Sequence, residues 1–328
     1  MLSTLRLTAL AVLPLIASSA IAESNSAFYF GLDNDGVFGV DQDYTNGIFF
    51  SYSSDIDLDK DSIFYHLPTE PFKQGLDNEL KWSIQMGQKM WTPSDLAASE
   101  PQPGERPYAG LLFAEASLYA LDDDQVSYFG LMLGTTGGNA LTEHSQKFVH
   151  SLTGSPDPQG WDYQIYNQMV LNLNHKNDQR HFYQPQESGW GSEFSTNYRA
   201  MLGNFRTEVA VGGLYRWGYQ LHDSFGSTNI SNEASLNPTM IRRAKTGGYF
   251  FGGIEGRYRF NDITIDGDRP DEVPKTTVEN LQATAVLGAV GYYHGWGISF
   301  SIAAKSNDFV EDNSNFLANG SLALFWLF

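Results

Sequence analysis

Three polar clusters in the 328-residue chain hold side chains that could do chemistry. The first is Asp33-Asn34-Asp35-Gly36, with Asp41, Asp43, Tyr44, Thr45, Asn46 and Gly47 close behind. Carboxylate, amide, hydroxyl and carbonyl oxygens at this density suit a hard cation such as Ca2+. The spacing is not that of an EF-hand loop, and an acidic, glycine-containing hairpin has the same composition. The second cluster is Gly104-Glu105-Arg106-Pro107-Tyr108-Ala109-Gly110, which also reads as a turn that starts a strand. The third runs from Gly134 to Gln164 and contains Gln146, His150 and Gly160-Trp161-Asp162-Tyr163-Gln164. An imidazole titrates near working pH, so His150 could take a proton from water that attacks an ester carbonyl. Taken alone, a histidine on a helix is usually just a surface residue. No Gly-x-Ser-x-Gly elbow surrounds any serine, which argues for water rather than a serine as nucleophile. With no cysteine at all, thiol catalysis and Cys-ligated zinc are excluded.

The elements that must position these residues are mostly strands. Leu80, Trp82, Ile84 and Met86 alternate with Lys81, Ser83, Gln85 and Gly87. Trp296, Ile298, Phe300 and Ile302 alternate with Gly297, Ser299 and Ser301, and the chain ends on a similar stripe from Phe316 to Phe328. Period-two patterns of this kind give one apolar and one polar face. Trp91, Tyr108, Tyr119, Trp217, Phe260, Tyr292 and Trp296 fall near strand ends, as interfacial aromatic girdles would. Twelve strands are expected, starting near residues 27, 45, 79, 106, 125, 164, 192, 206, 247, 279, 296 and 315. The expected fold is therefore all-β: a transmembrane antiparallel β-barrel of about 12 strands, an even number as single-chain bacterial barrels have. With the N-terminus periplasmic, loops near 34–44, 91–105, 136–163, 261–276 and 306–314 face outward, and 218–246 is a long periplasmic connection. The outward loop at 142–153, TEHSQKFVHSLT, reads as a short helix that Thr142 caps and Gly154 ends. Phe148, Val149 and Leu152 share one arc, an apolar face that should rest on something, with Gln146 and His150 along another edge.

Residues 1–22 read as a signal peptide, with Arg6, an apolar run over Leu7–Ile16 and an Ala20-Ile21-Ala22 cleavage site. Residues 23–328 then form one exported barrel domain. A charged fraction of 18% lies below the roughly 25% of soluble domains, and a net charge of −18 argues against nucleic acid.

In order and spacing, L-D-N-D…D-Y-T-N-G at 32–47, G-E-R-P-Y-A-G at 104–110, Q-x-x-x-H at 146–150 and G-W-D-x-Q at 160–164 resemble the lipid A 3-O-deacylase (LpxR-type) family of Gram-negative outer membranes. The terminal Phe328 also resembles the C-terminal signature of outer-membrane barrels. The resemblance implies an outer-membrane enzyme with its site between the barrel wall and the loop helix. It implies Ca2+-dependent hydrolysis of the 3-position acyloxyacyl ester of lipid A in the outer leaflet, by a chain expected to be monomeric. By position, His150 would be the general base and Gln146 its neighbour, with Asn34, Thr45 and Asp35 forming the site floor and metal surroundings. Where the family carries a further acidic residue this chain has Pro156, so Asp157 and Asp162 are the carboxylates left to complete a metal site. Lys89, Arg106 and Lys147 are the basic residues expected to meet a phosphorylated lipid. Rival readings are an outer-membrane phospholipase, a porin or structural barrel, and a soluble β-sandwich. The phospholipase pattern places a serine two residues after a histidine in a strand, whereas His144-Ser145 are adjacent and helical. Porins usually need 16–18 strands.

Overall fold

The computed structural model describes residues 25–35, 43–56, 79–231, 233–242, 245–312 and 317–328. The segment 1–22 that reads as a signal peptide, Gly36, Asp41 and Phe316 lie outside them. The described residues form strands β1 (Ala27–Asn34), β2 (Asp43–Asp55), β3 (Glu79–Thr92), β4 (Ala109–Leu121), β5 (Gln125–Thr136), β6 (Met169–Pro185), β7 (Trp190–Gly203), β8 (Arg206–Tyr219), β9 (Gly247–Asp262), β10 (Leu281–Tyr293), β11 (Trp296–Lys305) and β12 (Leu317–Leu327). Every strand is antiparallel to its sequence neighbours, and β1 pairs with β12 to close a twelve-strand barrel. No described helix is long and apolar enough to cross a membrane. The strands do so instead, because closure leaves no unpaired backbone edge.

Alternation decides which face each residue serves. Ile84, Met86, Phe250, Ile254, Ile298 and Leu324 project outward and are strongly exposed, as a lipid-facing wall requires. The aromatic expectations divide by the same rule. Trp217, Phe260 and Trp296 stand on the wall, whereas Trp91, Tyr119 and Tyr292 are buried within the barrel and Tyr108 is buried against Trp161. Phe328 stacks on Phe28 and meets Trp326 at a tilt in an outward aromatic group where the barrel closes.

The connection between β8 and β9 is not a periplasmic loop. It turns inward and fills the barrel. It enters through a short 3-10 turn at Leu221–Ser224, rises as a narrow hairpin in which Thr228 pairs with Leu236, and returns through Pro238–Met240. At its far end Ala234 N donates to Asp33 Oδ2 on β1 at 2.9 Å, and Glu233 lies 2.5 Å from Lys89 Nζ on β3 and 2.7 Å from Arg206 on β8. Ile230 packs where Gly212 and Gly253 leave room. A Cβ at either glycine would come within 2.9 Å of it. At the periplasmic end, Arg216 donates to the Ser224 carbonyl at 2.7 Å, and Arg242 reaches the Asp122 carbonyl and lies 3.1 Å from Asp123. Eight strands enclose a space that inward side chains alone can fill, and twelve enclose more, so this barrel needs a filler. A filled barrel should not conduct. The purified protein in planar lipid bilayers is expected to give no steady current, and a sustained porin-like conductance would overturn the closed lumen.

Candidate active site beneath the loop helix

The site is built on the outer surface of the wall. Lys89 faces the lumen, so Gln88 and Met90 on either side of it face outward. Met90 pairs with Gly110 on β4 and with Asn46 on β2, and Asn46 pairs with Asn34 on β1. Directly opposed residues share a face, so Asn34, Asn46, Met90 and Gly110 form one outward strip at the outer end of four strands.

Helix α1 (Thr142–Thr153) lies on that strip. Gly110 is its seat, since a Cβ there would stand 2.1 Å from Thr142 Oγ1. Gln88 Nε2 donates to the Ala140 carbonyl at 2.7 Å, just before the helix. Thr142, Gln146 and His150, one turn apart, are its buried residues, whereas Phe148, Val149 and Leu152 are exposed. The apolar arc is therefore turned away from the wall, and the polar stripe faces in. Gly154, at φ 76°, ends the helix by donating its N–H to the His150 carbonyl.

Each inward side chain has a fixed orientation. Trp161 Nε1 donates to Gln146 Oε1 at 2.8 Å. An indole nitrogen only donates, so it holds the amide oxygen toward itself and turns Gln146 Nε2 away. That nitrogen is buried with no hydrogen-bond partner among the described residues. Trp161 is itself clamped against Tyr108, with ring centroids 4.8 Å apart, in a cluster with Met90 and Leu96. His150 Nδ1 lies 2.5 Å from the Pro156 carbonyl. A carbonyl only accepts, so Nδ1 carries the proton and Nε2 of the neutral ring carries the lone pair. The backbone at Pro156 thus orients the imidazole in the position where the family resemblance leads one to expect an acid.

On the floor, a β-bulge between Tyr44 and Asn46 leaves Thr45 as an extra residue in β2. Thr45 Oγ1 meets Thr92 Oγ1 at 2.7 Å, and its carbonyl accepts from Asn34 Nδ2 at 3.2 Å and from Asp35 N at 3.3 Å. Asp35 is buried beside them, but Asp157 and Asp162 are exposed. Among the described residues no three His, Asp or Glu side chains converge as a metal cluster. The oxygens at hand are the Asp35 carboxylate, the Asn34 amide, the Thr45 hydroxyl and backbone carbonyls, a donor set that fits a hard cation carrying several waters.

The basic residues are elsewhere. Lys89 is held by Glu233 in the lumen, on the opposite face of the wall from α1. Arg106 is buried, bonds Asp43 and donates to Thr264 Oγ1 at 2.9 Å. Arg106 and Arg206 lie over the Trp91 ring, 5.6 Å and 5.5 Å from its centroid. The two arginines belong to a buried chain of ion pairs. Lys305 bonds Asp43 and Asp308, and Arg259 lies 3.4 Å from Asp308 and 2.9 Å from Asp262. Burial alone would raise the Asp308 carboxyl, but Lys305, Arg259 and Arg106 hold it well below the usual carboxylate range. Of the three basic residues expected to face a lipid phosphate, Lys147 alone is on the surface, where it pairs with Glu143 at 2.7 Å.

The sequence profile of the family described as "Outer membrane protein LpxR" matches residues 4–328. The chain belongs to the LpxR family. LpxR from Salmonella typhimurium superimposes with a TM-score of 0.76 at 17% identity, over 92% of this chain and 100% of that one. The β-domain of the Bordetella autotransporter BrkA reaches a TM-score of only 0.41 at 8% identity, over 93% of this chain and 98% of that one. Among curated protein sequences none matches. LpxR membership and the closed barrel place the chain in the outer membrane. Three features of this candidate site were not singled out from sequence: the Gly110 seat, the Trp161 clamp and Thr92. Two of them lay inside quoted motifs, Gly110 in GERPYAG and Trp161 in GWDxQ. Nothing local marked Thr92 for a role, and Pro156 was noted only as standing where the family carries an acid.

Proposed function

We propose that this protein hydrolyses the 3-position acyloxyacyl ester of lipid A in the outer leaflet, using water activated by His150 and a Ca2+ ion, after residues 1–22 have been removed on export. The observation that carries the reading is the His150–Pro156 bond, which leaves the base nitrogen defined on the inward stripe of α1. In the forward step His150 Nε2 takes a proton from water as the water oxygen bonds to the ester carbonyl carbon. On collapse the ester C–O bond breaks, and the imidazolium returns the proton to the departing sugar oxygen. Gln146 Nε2, turned away from Trp161, is placed to donate to negative charge that develops on the carbonyl oxygen. Asp35, with Asn34 and Thr45 nearby, would hold the Ca2+ ion, which when bound would supply positive charge to polarise the carbonyl.

A site with one carboxylate among neutral oxygens should bind Ca2+ weakly, with half-activation at roughly 10⁻⁴–10⁻³ M. Lipid A from cells that do or do not produce the protein, treated with Ca2+ or EGTA, tests the reading by mass spectrometry. The expected result is loss of the 3-O acyloxyacyl mass only with protein and Ca2+ together. Full activity in EGTA would remove the metal from the mechanism. Fatty acid released from glycerophospholipid, with lipid A intact, would replace the substrate.

A further inference from the structure

We infer that helix α1 lies in the outer leaflet itself, with Phe148, Val149 and Leu152 set among acyl chains. The inference needs only the outer-membrane location, not the hydrolase reading. At about 100° per residue, α1 carries three separate arcs. Thr142, Gln146 and His150 face the barrel wall and are buried. Glu143 and Lys147 form one flank, paired at 2.7 Å. Phe148, Val149 and Leu152 form the other flank and are 64%, 41% and 72% exposed. A surface helix in water would bury such an arc, and this one instead buries its polar stripe.

The occupant follows from where the helix sits. It is seated on the outward side of Gly110 and Gln88, on the lipid side of the wall. Further down the same face of β3, Met86 and Ile84 are 58% and 48% exposed, as side chains that meet hydrocarbon. On the far side of the loop, Met169 at the start of β6 is 77% exposed. The apolar flank of α1 therefore continues a surface already covered by lipid. The opposite charged flank suits headgroups and water, which is the arrangement of a helix lying in a membrane interface. Such a helix would keep the polar stripe between itself and the wall, at the depth of the outermost atoms of an acyl chain.

The absence of cysteine makes the test direct. Single variants Phe148→Cys, Leu152→Cys, Lys147→Cys and, as a wall reference, Met86→Cys are spin-labelled in the full chain. Each is reconstituted in phosphatidylethanolamine–phosphatidylglycerol vesicles, and folding is checked by heat-modifiable gel mobility. Collision rates with oxygen and with a water-soluble nickel chelate are then compared. Labels at 148 and 152 are expected to match the label at 86, with oxygen favoured several-fold over nickel, and the label at 147 to show the reverse. Nickel access at 148 and 152 equal to that at 147 would overturn the inference. So would dipolar coupling between labels on two molecules, which would mean that a second copy covers the flank. Val149→Cys replaces either site if its variant fails to fold.

Discussion

His150→Asn should lower ester hydrolysis by a factor of about 10²–10⁴, the span that general-base catalysis ordinarily supplies. The barrel should remain folded. The helix is held on the wall by the Gly110 seat, by Gln88 on the Ala140 carbonyl and by Trp161 on Gln146, none of which involves the imidazole. Asparagine preserves a donor toward the Pro156 carbonyl but has no nitrogen that can accept a proton from water at neutral pH. Acyl release measured beside heat-modifiable gel mobility separates chemistry from folding. A folded variant with wild-type turnover would remove His150 from the reaction. Pro156→Ala provides the contrast. It keeps the backbone carbonyl that orients the ring, so its loss should stay below about tenfold if the carbonyl is what matters.

Glu233→Ala should cost about 3 kcal/mol of stability, the low end for removing one partner of a buried ion pair. Glu233 stands between Lys89 and Arg206 at the far end of the filling hairpin. Arg206 keeps Asp262, 2.6 Å away, but Lys89 has no other carboxylate within ion-pair reach among the described residues. A buried, uncompensated ammonium is the main penalty. The Lys89→Met, Glu233→Ala double variant should recover part of the loss because it removes the stranded charge together with its partner. Urea unfolding in lipid vesicles measures both. Equal stability of wild type and Glu233→Ala would show that the hairpin does not depend on this pair.

The barrel itself was readable because period two is a local pattern. β9 and β11 begin at Gly247 and Trp296, at the starts expected near 247 and 296. The filling hairpin was not readable for the opposite reason. Residues 220–246 have no sustained period, and nothing in a connection's composition says whether it folds away from a lumen or into it. The face that Lys89 serves was available in principle. It continues the series Lys81, Ser83, Gln85, Gly87, whose members face opposite to Ile84 and Met86. Its proximity to the outer end suggested a substrate contact, but proximity along a strand does not override alternation. What the apolar arc of α1 rests on was left open for a different reason. The rule that an apolar arc packs on protein holds in water, whereas beside a membrane the apolar solvent lies on the other side.

Thr45, set into β2 by the bulge, carries a genetic consequence. A single-residue deletion inside a strand normally slips every following side chain to the wrong face. Deleting Thr45 would do the reverse, turning Tyr44 and Asn46 into neighbours in an unbroken ladder and leaving the rest of the register with β3 intact. Such a deletion should therefore spare the barrel while removing the hydroxyl that meets Thr92 and the carbonyl that holds Asn34 and Asp35. The floor of the site amounts to one inserted residue that the barrel does not need in order to close.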